Sequence, residues 1–270
     1  VSGLTFGTNG FYLDFEDSSN LGNDANGGTD WTEVNLAAAD QATDTPTNNF
    51  CTLNPLDAYY AGATFSEGNC KVVYGASGVY PDIMPTMGVS TGKWYWEYKW
   101  PNAGASNQSG INDASPTAAA GTPSGGGRGT YGVAYMSTGQ TRANDSVASY
   151  GDAIVENHII GTYLDLDNNK LYWALNGVIQ NSGTGFSITA AASTTSGIYF
   201  PTIGNEAEES RTHEANFGGC PSFTISSGNA DANGYGNFEY SPNDGGGSSF
   251  DSAAKDFLAL CTKNLGSDGG

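Results

Sequence analysis

"TGKWYWEYKW", residues 91–100, decides how the rest of the chain is read. Trp94, Trp96, Tyr98 and Trp100 recur at every second position, with Lys93, Tyr95, Glu97 and Lys99 between them. A β-strand sends alternate side chains to opposite faces, so the four rings share one face. A sugar platform needs exposed rings flanked by polar hydrogen-bonding groups. Here the aromatic face is unbroken and the charges lie on the other, which is the alternation of a half-buried antiparallel strand. The stretch is expected to fill a core, each buried ring contributing on the order of 2 kcal/mol or more. Trp100 is the exception: beside Pro101 and a long loop, its ring is expected to be partly exposed.

The composition agrees with a β-rich chain. Glycine is 39 of 270 residues, about twice the usual share. Thr, Ser, Asn and Tyr are plentiful, as in proteins of short strands, turns and long polar loops. The net charge of -19 repels nucleic acid and anionic membranes and keeps a β protein dispersed. No apolar run is long enough to span a bilayer, and no basic-then-apolar signal opens the chain. The first residue is Val1 rather than Met, so a processed chain or a segment of something longer is expected. Cys51, Cys70, Cys220 and Cys261 form no CxxC pair, which argues against zinc. They allow three pairings or none; the length does not require bridges, and free, partly buried thiols are expected.

Along the chain, "GFYLDF" alternates Phe11, Leu13 and Phe15 and reads as a short strand. From about residue 70 the strand signals become regular: "KVVYG", "KWYWEYKW", "TYGVAYM", "IIGTYLDLD", "KLYWALNG", "IYFPTIG" and "HEANFGG", each bounded by turn residues. Asn168-Asn169 and Asn176-Gly177 mark two hairpin tips. Residues 101–129 read as one long Gly/Ser/Ala/Pro loop, and loops of that length are functional or disordered. "NDANGG" at 23 and "NADANGYG" at 229 read as similar tight turns, not as a repeat. Phe257, Leu258 and Leu260 are expected to form a helical turn or a docking strand. The fold class is all-β, an antiparallel β-sandwich of jelly-roll type with long Gly/Ser-rich loops. Residues 1–50 read as an N-terminal strand and linker (the closing piece of a preceding sandwich, or a packing arm), 51–220 as the sandwich, and 221–270 as a Gly/Ser-rich extension with a short docking segment.

Several motifs tempt towards catalysis. "GVSTG" at 88–92 matches a nucleophile elbow, but a strand follows where a helix is needed, and only His158 and His213 are available as base. "GRGTYG" at 127–132 follows a loop and enters a strand, the wrong setting for dinucleotide phosphates. Glu206, Glu208 and Glu209 have no interposed aspartate of the laminarinase kind and read as a solvated loop. Asp165, Asp167 and Asn169 alternate like calcium ligands but sit at a hairpin end, where such residues serve the turn. No cofactor is expected, with calcium the one ion the pattern admits. No enzyme activity is expected either.

The order of segments resembles the SPRY domain. "GKWYWEY" matches its "GKhYWEV" strand at Gly92, Lys93, Tyr95, Trp96 and Glu97; "YGVAYM", "GTYLDLDNNKLYWALNG", "YFPTIG" and "ANFGG" follow in the family's order over roughly residues 70–220. The flanks "GTNGFYLDF", "TDTPTNNFCTLNPL", "GNADANGYGNFEYSP" and "FLALCTKNL" resemble marine bacteriophage structural proteins of the tail-fibre type. Residues 240–261 depart from those, being longer and richer in Gly and Ser. The resemblance implies binding through loops at one edge of the sandwich, not catalysis. It implies a virion structural or appendage protein, a tail fibre or capsid decoration, on an extracellular particle. Expected partners are other virion proteins, copies of itself, and a host surface glycan or protein, with no nucleic acid and no membrane insertion. The alternatives are a carbohydrate-binding adhesin, secreted or on a cell surface, and a concanavalin-like glycosidase. The expected ligand-binding residues are Trp100, Asn102, Asn107, Arg128 and Tyr150, clustered where loop 101–129 leaves the sandwich.

Overall fold

The computed structural model describes residues 3–57, 62–75, 82–102, 107–113, 127–205, 210–243 and 255–266. It divides into two units, residues 1–43 and 44–270. The expectations for Glu206, Glu208 and Glu209, and for residues 103–106 and 114–126 of the long loop, lie outside the described residues.

The larger unit is built from β1 (Ala63–Ser66), β2 (Lys71–Tyr74), β3 (Asp82–Ile83), β4 (Lys93–Lys99), β5 (Asn107–Asp113), β6 (Val133–Met136), β7 (Gln140–Ala143) and β8 (Ser146–Ser149). It continues with β9 (Ile159–Asp165), β10 (Lys170–Leu175), β11 (Val178–Ile179), β12 (Phe186–Ser187), β13 (Tyr199–Asn205), β14 (Arg211–Asn216) and β15 (Leu258–Ala259). Among the described residues, one sheet runs β1-β2-β14-β4-β9-β10-β11, with β12 also on β10 and β15 on β4; the other runs β3-β13-β5-β6-β7-β8. All pairings between these strands are antiparallel except that of β15 with β4. Among the described residues, the named helical elements are three 3-10 turns and the single turn α1 (Thr262–Asn264). The chain is thus an all-β antiparallel sandwich, and no helix among the described residues is long and apolar enough to cross a membrane.

β4 is the central strand of the larger sheet. It pairs with β9 along its whole length, from Lys93 opposite Asp165 to Lys99 opposite Ile159. Its other edge is shared: β14 covers Glu97 to Lys99, and β15 covers Trp94 and Tyr95. Trp94, Trp96, Tyr98 and Trp100 all enter the core between the sheets, with Trp173, Tyr135, Tyr199 and Ile203. The expected aromatic face is therefore a core face, but it includes Trp100, which has no exposed surface.

The opposite face of β4 is also buried, which corrects the half-buried reading. Tyr95 and Glu97 have no exposed surface. The cause is the C-terminal extension, which lays a second aromatic layer over the sheet. Phe238 meets Tyr95 edge-on at 5.0 Å, Tyr95 lies 4.5 Å from Tyr163, and Phe257 meets Tyr163 at 5.2 Å. Phe50, Ala259 and Cys261 complete this layer. Both forms expected of "FLALCTKNL" occur in succession, a docking strand and then a helical turn.

The long loop also needs correction. Residues 107–113, "NQSGIND", are β5, paired with β13 on one side and β6 on the other, and every residue of it is buried. A Cβ on Gly110 would collide with the Val133 backbone, so glycine here permits two strands to close. The hairpin tips are as expected: Asn169, Asn176 and Gly177 take positive φ between β9 and β10 and between β10 and β11.

The smaller unit contains no strand among its described residues, so "GFYLDF" does not pair. Alternation makes a strand only where an edge accepts it, and Phe15 has φ 56°. Asp24 organises this segment instead, accepting the N–H of Tyr12 at 2.8 Å, of Asn26 at 3.1 Å and of Gly28 at 3.1 Å. Asp231 in the larger unit does the same, accepting Asn233 and Tyr235 N–H at 2.9 Å each and Ala259 N–H at 2.9 Å. The two "DANG" turns are thus one device used twice: an aspartate caps its own turn and pins a remote strand-like segment.

Candidate functional site

The C-terminal ends of β4, β6, β8 and β10 lie at one end of the sandwich. The β8–β9 connection, residues 150–158, is held by side chains from several elements. Tyr150 packs its ring on Trp173 at 5.2 Å and Tyr135 at 5.7 Å and donates its hydroxyl to Thr184 O at 3.1 Å. Tyr135 Oη donates to Asp152 O at 2.5 Å, and Asp152 N–H donates to Gln180 Oε1 at 2.8 Å. A Cβ on Gly151 would lie 2.6 Å from Gln180 Oε1 and 2.7 Å from Tyr135 Oη, so only glycine passes there without displacing that lock. Ile154 is buried, Ile154 N–H reaches Ser137 O at 2.9 Å, and Asn157 N–H reaches Trp100 O at 2.9 Å.

Around these anchors the loop faces water. Asp152, Glu156 and Asn157 are exposed, as is Val155 at 54%. Val178 at the neighbouring β10–β11 tip is 64% exposed. The result is a rigid rim with two apolar contacts, acidic groups and amides, which suits recognition because its shape is set before binding.

The sequence-expected residues divide. Trp100 contacts the His213 ring edge-on at 5.9 Å and is closed to a ligand. Asn107 opens β5 and is fully buried, so it is not a surface hydrogen-bonder; its backbone O accepts Ser137 N–H at 2.9 Å. Asn102 is half-buried and its Oδ1 accepts Thr212 N–H at 2.9 Å, holding the start of β14. Tyr150 is half-buried on the rim. Arg128 pairs with Asp145 at 2.8 Å in the β7–β8 turn. Tyr150 follows the other end of that hairpin, so Arg128 and Tyr150 lie at opposite ends of it. The sequence reading missed Asp152, Val155 and Glu156, whose only signal is their place after an aromatic strand end in a polar loop.

The carboxylates read as calcium candidates serve the fold. Asp165 is buried, accepts Asn168 N–H and Nδ2–H at 2.9 and 2.8 Å, and lies 4.0 Å from Lys93 Nζ. Asp167 accepts Gly92 N–H at 3.0 Å. No three His, Cys, Asp or Glu side chains converge on a metal position among the described residues. An open cleft of about 390 Å³ adjoins this turn, lined by Lys93, Asp167, Asn233, Lys255 and Asp256 among others. Its charges balance and it has no aromatic wall.

His213, one of two histidines, lies between the rings of Tyr74 and Trp100. Burial, aided by the Arg211 charge, pushes it down to about 3, so it stays neutral. Ser90 precedes β4 with no helix behind it, and residues 127–132 turn into β6, so neither motif has its catalytic setting.

No family model matches the chain, and no curated protein matches it. Solved structures do. The SPRY domain of human HERC1 is similar over 64% of this chain and 99% of that one, at 12% identity and a TM-score of 0.45. The PSpry domain of TRIM65 is similar over 62% and 90%, at 15% identity and 0.48. Stonustoxin is similar over 62% of this chain and 27% of its own, at 18% identity and 0.45. Two of these three similar structures, those of HERC1 and TRIM65, are SPRY domains.

Proposed function

We propose that the chain is a non-enzymatic binding and structural protein of a virion appendage, its SPRY-like sandwich recognising a host surface glycan or protein. The observation that carries the reading is the pre-ordered rim at residues 150–158, anchored by Tyr135, Gln180 and Trp100 yet exposing Asp152, Val155 and Glu156. It adjoins the end of β4, where the ligand was expected from sequence, although through residues other than Trp100 and Asn107. The virion setting is supported by the resemblance of the flanks. Packing with copies of itself or other virion proteins is supported by Phe11, Phe15 and Trp31 of the smaller unit, each about half exposed. The absence of catalysis is supported by Asp165 and Asp167 being committed to turns and His213 to the core.

The test is competition. Purified protein in excess is expected to block attachment of particles to host cells, and mass spectrometry of purified particles is expected to find the chain. Turnover of laminarin, alginate or bacterial polysaccharides would overturn the reading in favour of an enzyme.

A further inference from the structure

The fold brings together two thiols that are far apart in the sequence. Cys70 ends the β1–β2 turn, and Cys220 follows β14. Both sulfurs sit against the same turn, Cys70 Sγ donating to Gly68 O at 4.0 Å. Cys220 Sγ donates to Glu67 O at 3.6 Å, and a Cβ on Gly68 would lie 3.0 Å from that sulfur. The turn is wound tightly around it: Glu67, Gly68 and Asn69 all take positive φ, at 50°, 58° and 63°. Both cysteines are buried. The other two lie in different surroundings. Cys51 packs in the core between the sheets, where Thr86 Oγ1 donates to its sulfur at 3.7 Å, and Cys261 packs in the outer aromatic layer.

We propose that Cys70 and Cys220 are an oxidation site, closing a disulfide that ties the β1–β2 turn to the chain leaving β14 when a low-molecular-weight disulfide is present. One protein thiol loses its proton and attacks the R–S–S–R bond, forming a mixed disulfide and releasing RS⁻, which takes up that proton as RSH. The second thiol loses its proton and attacks the protein sulfur of the mixed disulfide, releasing the second RSH. Two protein thiols are oxidised and one external disulfide is reduced. The Cys220 sulfur and burial hold the Cys70 thiol protonated. The exchange is therefore slow in the closed fold and proceeds when the strained turn at Glu67–Asn69 opens.

The wild-type protein decides this directly. It is incubated with glutathione disulfide, denatured in iodoacetamide and digested. Of its four free thiols, those of Cys51 and Cys261 are expected to be alkylated, with one linked peptide pair joining Cys70 to Cys220. The oxidised protein should melt higher by roughly 5–15 °C, and Cys70→Ser and Cys220→Ser should each abolish that rise. Alkylation at all four positions, a glutathione adduct without the internal link, or a link involving Cys51 or Cys261 would each overturn the proposal. The peptide map needs no variant to fold.

Discussion

Glu97 Oε1 accepts the backbone N–H of Tyr240 at 2.7 Å, joining the central strand to a segment 143 residues further on. The same carboxylate accepts Tyr95 Oη–H at 2.9 Å, Asn216 Nδ2–H at 2.9 Å and Glu239 N–H at 3.1 Å. Four donors surround a group with no exposed surface. Burial outweighs them and pushes Glu97 up to about 7 from an ordinary 4.5. The folded state thus holds a proton that the unfolded state releases. This contribution is complete below about pH 4.5 and is lost as pH rises towards 7, about 3 kcal/mol in all. Glu97→Gln removes the titration. The wild type should therefore lose stability relative to Glu97→Gln between pH 4.5 and 7 in urea denaturation, and parallel pH profiles would count against this.

Asp231 fastens the same extension at a second point. Its Oδ2 accepts Ala259 N–H at 2.9 Å and Asn264 Nδ2–H at 2.7 Å. Asp231→Ala strands these buried donors and is expected to cost about 2–4 kcal/mol. Amide exchange at Leu258 and Ala259 should accelerate far more than in β9. Unchanged protection of β15 would show that packing alone holds it.

Trp96 is fully buried between the sheets. Trp96→Ala should cost about 3–5 kcal/mol, as large-to-small core changes do. The check is a shift in the urea midpoint without a change in the slope. A loss below about 1 kcal/mol would mean the site had collapsed around the smaller residue.

Residues 44–270 hold both sheets and both apolar layers. A protein starting at Asp44 should keep the β-type circular dichroism and cooperative melting of the full chain. It should also associate less, because the exposed Phe11, Phe15 and Trp31 are gone. Loss of cooperative melting would show that residues 1–43 belong to the fold.

Strands with apolar alternation between turn residues were legible in the sequence: β4, β9, β10 and β13 could be placed from it, and Asn176-Gly177 marked its hairpin. β5 was not legible. Ile111 is its only large apolar residue, and its polar side chains are buried by pairing on both edges, which only the tertiary fold reveals. Replacing residues 103–127 with a Gly-Ser link would for the same reason remove a strand paired on both edges. Tyr95 and Glu97 were misread as a solvent face because their cover comes from the distant Phe238, Glu239 and Tyr240. "GFYLDF" shows the converse error, alternation without a partner strand. The rim at 150–158 carries little sequence signal because its rigidity comes from Tyr135, Gln180 and Trp100 in other strands and loops.

Attachment competition with a rim variant tests the central claim most directly. Val155→Glu combined with Glu156→Lys changes two exposed side chains and none of the loop's anchors. The variant should melt within about 2 °C of wild type, as exposed substitutions do. It should nonetheless fail to block attachment of particles to host cells at concentrations where the wild type blocks it. A variant that melts normally and competes as well as the wild type would contradict recognition through this end of the sandwich.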